Sequence, residues 1–332
     1  MGVSEFELQS EIESLRAALI STQRQLHMQK LRNEVLVEAT LQAAKEAVIA
    51  LGGLKIPKAP KPSAKTNELV ALLHLTDWQG GKLTTSYSSE VMEQRVNTIV
   101  EKAISIAALH NVKKKCVVLL GGDMVEGLFN FPTQPFEIDS TIFTQFVTVS
   151  NLLVASVLAL SAHFEQIEVI AEWGNHGRIG SVRNAIPRSD NIDRMCYHLA
   201  RTLLEKNPRV KWEDSVEDIQ RVEIGNYRAL LIHGDEIGRN GFASKNMIVA
   251  HVNRWKSGAY PWKFQDVYCG HYHNHYEESL ADGIGAVYGT GSTESDNRYA
   301  REQLAASAQP SQRLHFIDAD WGRVVTQFKL WA

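Results

Sequence analysis

The sequence predicts an α/β protein of two packed sheets covered by helices, with one long helix set apart ahead of them. Three observations carry this reading. From Asn67 onward, apolar β-branched runs alternate with amphipathic stretches of helical period. After Pro208 the strand-like runs come closer together, with fewer helices between them. Residues 4 to 50 contain neither proline nor glycine and repeat apolar side chains at spacings of four and three. An alternating β and α part followed by a β-rich part calls for two packed sheets, not one parallel sheet.

In chain order, Leu8, Ile12, Leu15, Leu19, Thr22 and Leu26 form the 3.5-residue seam of a coiled coil. It continues more weakly through Gln29, Asn33, Leu36, Thr40, Ala43 and Ala47. Residues 1–50 are therefore expected to form a helix that self-associates, in preference to one that packs on the domain that follows it. Gly52-Gly53 should stop it. Residues 51–66, rich in proline and lysine, read as an extended linker. Residues 67–332 form the main domain. Its expected strands are Leu69–Leu75, Lys115–Leu120, Ile167–Trp173, Tyr227–Ile232, Asp266–Cys269 and Ala286–Tyr288. A closing hairpin, Arg313–Asp318 with Arg323–Leu330, follows. Helices are expected over Ser88–His110, Thr141–His163, Asp190–Glu205 (capped by Asp190 or Asn191) and Phe242–Trp255.

With 332 residues, 44% apolar and 22% charged, the chain has the composition of a globular protein. No run of consecutive apolar residues approaches a membrane span, and the first residues lack the basic flank and apolar core of a secretory signal. The expectation is a cytoplasmic protein without membrane contact. Cys116, Cys196 and Cys269 are odd in number and widely spaced, which argues against a disulfide framework or a cysteine-zinc site. A net charge of -3 does not advertise nucleic-acid binding.

The chemistry gathers around Gly121-Gly122-Asp123-Met124-Val125-Glu126-Gly127, which follows the buried run Lys115–Leu120. Asp123 stands just past a strand's carboxyl end, where open α/β sheets place ligands. Four other segments repeat this form: Asp77-Trp78-Gln79, Gly174-Asn175-His176, His233-Gly234-Asp235 and Gly270-His271-Tyr272-His273. Their oxygen and nitrogen donors suit Mn, Fe, Zn or Ni, and the reading is that all five converge on a two-metal centre with Asp123 between the metals. Two such cations outweigh the carboxylates of Asp77 and Asp123, leaving a positive hole suited to a phosphoryl group.

The ordered set resembles the calcineurin-like metallophosphoesterase superfamily, whose pattern is Asp-x-His, Gly-Asp, Gly-Asn-His, a His, then Gly-His-x-His. The match runs from Asp77 to His273. The resemblance implies a four-layer α/β/β/α sandwich with a dimetal site at the strand ends. It implies Asp77 and His273 on the first metal, Asp123 bridging, and Asn175, His233 and His271 on the second. His176 is then the general acid or a phosphate contact. Gln79 stands where the family has His, so the first metal should bind more weakly and favour Mn²⁺ or Mg²⁺ over Zn²⁺; otherwise Gln79 faces away and water completes the shell. The expected cofactor is two divalent cations, Mn²⁺ first, with Mg²⁺, Fe²⁺, Ni²⁺ and Zn²⁺ as alternatives. Gly177 stands where an acid often follows Asn-His, and Arg178 beyond it is either a phosphate clamp or an ordinary salt-bridge partner. Asp235 and Glu236 either orient His233 or cap a helix. His74 reads as a core histidine. Trp78, Trp173 and Tyr272 read as packing.

The segments Gly289–Ser292 and Pro310–Leu314, together with Asp77-Trp78-Gln79, look like those of phage-borne metallophosphoesterases described as DNA exonuclease-like; the overlap with SbcD-type nucleases is confined to the metal motifs. The resulting expectation is a phosphodiesterase acting on nucleic acid, DNA first, in the cytoplasm of a bacterial host if phage-encoded. The alternatives are a phosphatase or small-molecule (cyclic-nucleotide) phosphodiesterase, and a scaffold whose site Gln79 has impaired.

Overall fold

The computed structural model describes residues 54–61, 68–128, 130, 134–179, 188, 190–213, 215, 217–237, 245–296 and 309–332. By its contacts the chain divides into Met1–Gly53 and Leu54–Ala332, and every described residue belongs to the second unit. The expected coiled coil over 1–50 lies outside the described residues.

Among the described residues there are two mixed sheets and four α-helices. The first sheet contains β1 (Val70–Leu75), β2 (Lys115–Leu120), β3 (Gln166–Ala171), β4 (Val210–Trp212), β10 (Ser311–Asp318) and β11 (Arg323–Trp331), in the order β11-β10-β1-β2-β3-β4. β1 to β4 run parallel, and β10 and β11 run antiparallel beside them. The second contains β5 (Gln220–Ile224), β6 (Tyr227–Ile232), β7 (Asp266–Cys269), β8 (Tyr276–Ser279) and β9 (Ala286–Gly289), in the order β5-β6-β7-β9-β8, with β6, β7 and β9 parallel.

Val70, Leu72, Val117 and Leu119 of the first sheet share one buried core with Val222, Tyr227, Ala229, Leu231 and Tyr268 of the second. Period-two alternation sends the other set of second-sheet side chains, among them Leu230, Ile232 and Val267, against Ile248 and Val252 of α4 (Lys245–Arg254). Helix α1 (Ser89–Leu109) is capped by Ser88, whose hydroxyl accepts from Val91 N, and buries Met92, Val96, Ile99 and Ala103 along one face. Asn191 caps α3 (Ile192–Leu204) by accepting from Asp193 N.

The structure corrects the sequence reading in three places. β4, β5 and β8 were not expected; they are short, with three, five and four residues. β3 ends at Ala171, two residues before Trp173. Helix α2 (Ile142–His163) is long and apolar enough to cross a membrane by length and composition, with a mean hydropathy of 1.8, although no unbroken apolar run marks it. Thr, Ser, Gln and Asn residues interrupt the run, and the many Val, Leu, Ile, Phe and Ala residues between them keep the mean high. Half of the apolar window is buried.

Candidate metal centre

Parallel strands deliver their carboxyl ends to one edge. The loops after β1, β2 and β3 carry Asp77, Asp123 and Asn175 there, and those after β6 and β7 carry His233 and His271. The first two loops run side by side: Asp77 N donates to Gly122 O and Gln79 N to Asp123 O, each at 2.9 Å. Close approach needs glycine. A Cβ on Gly174 would collide with Asp123 Oδ1 and N, and one on Gly270 with Asp77 Oδ2 and Thr76 Oγ1.

Seven described non-glycine residues have positive φ, and Asp77, Gln79, Asp123, His271 and His273 are five of them. Left-handed backbone costs an L-residue roughly 1–2 kcal/mol. Five such positions at one strand-end cluster mark where the fold accepts strain to aim side chains.

The donor atoms converge. His233 Nε2 lies 3.1 Å from Asp123 Oδ2 and 3.0 Å from Asn175 Oδ1. His273 Nε2 lies 3.2 Å from Asp77 Oδ1. Ligand atoms of Asp123, His233 and His271 all fall within 4.8 Å of one another. Gln79 faces inward: its Nε2 is 3.4 Å from both Asp123 Oδ2 and His273 Nε2, and its Oε1 is buried without a partner. Amide oxygen and nitrogen are interchangeable by a half-turn, which would place the oxygen between Asp123 and His273.

Supporting groups fix the imidazoles. His233 Nδ1 meets Gly121 O at 2.7 Å and His273 Nδ1 meets Glu294 Oε2 at 3.2 Å, so each ring turns Nε2 into the centre. Asp77 accepts from Thr76 Oγ1 at 2.7 Å and from His271 N at 3.0 Å. Ser292 Oγ donates to Asp77 O, while the Gln312 side chain accepts from Thr76 N and donates to Thr76 O and Gly291 O. Those contacts bring the Gly289–Ser292 and Pro310–Leu314 segments to the site's edge. Asp193, fully buried on α3, accepts from the backbone N–H groups of Asp123, Met124 and Gly174.

Electrostatics follow from this crowding. Burial works against ionisation of Asp123, yet the charges on His233 and His176 outweigh it and hold the carboxyl well below its usual range. Burial likewise disfavours a charged His233, and Asp123 reverses that, raising it well above the usual histidine value. For His273, burial is overcome by Asp77 and Glu294, and its pKa rises to about 10. His271, half-buried and beside His233, falls to about 4. Carboxylates and imidazoles packed this closely call for positive charge between them.

A cation answers the same requirement. Two donors about 2.1 Å from one cation and at right angles lie about 3 Å apart, the spacing found here. Oxygen and imidazole donors without sulfur suit a divalent first-row ion. The residues therefore fit a metal centre. Replacing Gln79 with His is expected to tighten Mn²⁺ binding: if imidazole is worth ~1.4 kcal/mol more than an amide oxygen, the gain is about tenfold. Calorimetric titration of the metal-free chain measures it, and unchanged affinity would remove Gln79 from the donor set.

The remaining side chains sort as follows. His176 N donates to Asp123 Oδ1 at 2.7 Å, and His176 Nδ1 sits 3.2 Å from Glu126 Oε2. Burial opposes its charge, but Asp123 and Glu126 raise its pKa to about 9. Arg178 is ion-paired with Asp235. Glu236 does not touch the His233 ring; its carboxylate accepts from His233 N and Gly234 N, and the ring is instead oriented by Gly121 O. His74 is buried, with Nδ1 2.8 Å from Thr290 Oγ1. Trp78 and Trp173 are buried, and Tyr272 OH donates to Gly234 O. Sequence reasoning missed Glu126, Asp193, Glu294 and Gln312.

No family model matches the chain, and no curated protein does. Solved structures similar to it include a zinc-complexed Vps29 from Entamoeba histolytica, with 12% identity and a TM-score of 0.35, covering 78% of this chain and 99% of that one. A predicted phosphoesterase from Streptococcus pneumoniae has 11% identity and a TM-score of 0.32, with 80% and 99% covered. A putative 5'-nucleotidase from Staphylococcus aureus has 11% identity and a TM-score of 0.35; 80% of this chain matches 54% of it. At such identities these likenesses say nothing about substrate.

Proposed function

We propose that the chain is a calcineurin-like metallophosphoesterase: a phosphodiesterase using two divalent cations, Mn²⁺ first, on a four-layer α/β/β/α frame, with nucleic acid, DNA first, as substrate. The observation that carries this reading is Asp123. One buried carboxylate oxygen, Asp123 Oδ2, lies 3.1 Å from His233 Nε2 and 3.4 Å from Gln79 Nε2; Gln79 in turn meets His273, and His273 meets Asp77.

When bound, the cations polarise the phosphoryl group and supply an activated water. Asp77, Gln79, Asp123 and His273 would hold the first cation, and Asp123, Asn175, His233 and His271 would hold the second. His176, with Nδ1 against Glu126, has Nε2 3.9 Å from Asp123 Oδ2 and a partly exposed ring. From Nε2 it gives its proton to the leaving alkoxide. Arg178 reaches phosphoryl oxygens by letting go of Asp235, which Arg188 also holds at 2.9 Å.

The test is a panel of substrates with Mn²⁺. An aryl phosphodiester should be hydrolysed, and DNA should be the best natural substrate. Faster turnover of a monoester or a cyclic nucleotide would move the assignment to those substrates, and no metal-supported hydrolysis at all would favour the scaffold. The buried, free thiols of Cys116, Cys196 and Cys269 suit a reducing cytoplasm. Residues 1–50 are proposed to drive self-association through the Leu8–Leu26 seam. Deleting them should lower the mass seen by light scattering and leave per-site hydrolysis of a small substrate intact; an unchanged mass would dismiss the coiled coil.

A further inference from the structure

His233 and Asn175 meet at the centre from different sheets, and something must hold their loops together. The loop after β3 brings the buried Glu172, and the loop after β6 brings Asp235 and Glu236. Three carboxylates facing one another would push the two strand ends apart. One cationic nitrogen lies against all three. Arg188 Nη2 lies 2.7 Å from Glu236 Oε1, 2.9 Å from Asp235 Oδ1 and 3.7 Å from Glu172 Oε1, and donates to Trp173 O at 3.4 Å. The Glu236 carboxylate it grips accepts in turn from His233 N at 3.2 Å and Gly234 N at 2.6 Å.

We propose that Arg188 is a positioning residue for the His233–Asn175 half of the metal centre, acting through Glu236 on the His233 backbone. It does not touch the donors. It sets the distance between two donors that no shared strand pairing fixes, because β3 and β6 belong to different sheets. Arg178 does not duplicate it, since Arg178 reaches Asp235 and not Glu236. The inference rests on the metal-binding reading above.

The geometry distinguishes positioning from general support. A single nitrogen makes every short contact, so a lysine ammonium at the same place should serve nearly as well. Glutamine should not, because it lacks the charge that holds three carboxylates together. Calorimetric titration of the metal-free chain with Mn²⁺, beside its thermal unfolding, is the experiment. Arg188→Gln is expected to weaken the His233–Asn175 half by about tenfold or more, the usual cost of losing a group that orients a ligand. The other half, with Asp77 and His273, should keep its affinity, and Arg188→Lys should stay within a few-fold of wild type at both. Should Arg188→Gln fail to fold, Glu236→Gln tests the same link from its other end, with the same selective loss expected. Equal weakening of both halves, unchanged affinity, or loss in Arg188→Lys as large as in Arg188→Gln would overturn the positioning role. A wild-type chain that takes up no Mn²⁺ would take down the metal-binding reading itself; uptake by wild type with no selective loss in the variants overturns only the role of Arg188.

Discussion

Asp123→Ala is expected to lose metal uptake at both halves of the centre and to cut hydrolysis by roughly 10³-fold or more, since several kcal/mol of charge stabilisation go with the cations. Among the described residues, Asp123 is the carboxylate in contact with both His233 and Gln79. The variant has a second consequence that needs no metal. Asp123 is the largest influence raising His233 once burial is set aside, and the same holds for His176. In the metal-free chain both imidazoles should fall toward or below the ordinary histidine range, as NMR titration of their ring protons would report. Retained stoichiometric binding of two Mn²⁺ ions would show that the carboxylate is not shared.

His176→Ala should behave in the opposite way, with turnover down by roughly 10²–10⁴ and both cations still bound. Its Nδ1 faces the Glu126 carboxylate, and none of its ring atoms is needed to complete either donor group. Its pKa of about 9 exceeds the ordinary histidine value, so the charged form prevails below that pH and is lost as pH rises through it. Cations bound to Asp123 would offset that anion's share and lower the value. The alkaline limb of the wild-type pH–rate profile should therefore fall at or below about 9, and it should be missing in His176→Ala. A variant that loses a metal, or that keeps full turnover on a substrate with a poor leaving group, would contradict the assignment of His176 as acid.

The centre was legible because each donor follows an apolar run: β1, β2, β6 and β7 are buried nearly throughout, and polar residues at their ends stand out. The groups that orient the donors were not legible. Asp193 sits on a helix seventy residues beyond the backbone amide of Asp123 that it holds. Glu294 belongs to a segment whose only relation to His273 is the folded arrangement; Gln312 lay inside a segment already singled out for its likeness, yet nothing in the sequence ties its side chain to Thr76. Glu126 lay inside the stretch already singled out, but a residue three positions past Asp123 has no fixed direction in a loop. β4 and β8 are too short for periodicity to register. β5 carried a readable signal, with Gln220, Val222 and Ile224 buried, Arg221 and Glu223 exposed, and Gly225-Asn226 turning into β6. The positive φ at five candidate donors left only a faint trace in residue type: Asp and His enter left-handed backbone more often than most side chains, but far less distinctively than glycine.

The central claim is that Asp123 is shared by two cations. Crystals soaked in Mn²⁺ and measured with anomalous scattering at the manganese edge test it most directly. The expected map has two peaks within ~4 Å of each other, both about 2.0–2.3 Å from Asp123 oxygens, one beside Asp77 and His273 and the other beside His233 and His271. Peaks that leave Asp123 without a bound ion, or a single ion held by His233 and His271 alone at saturating Mn²⁺, would contradict it.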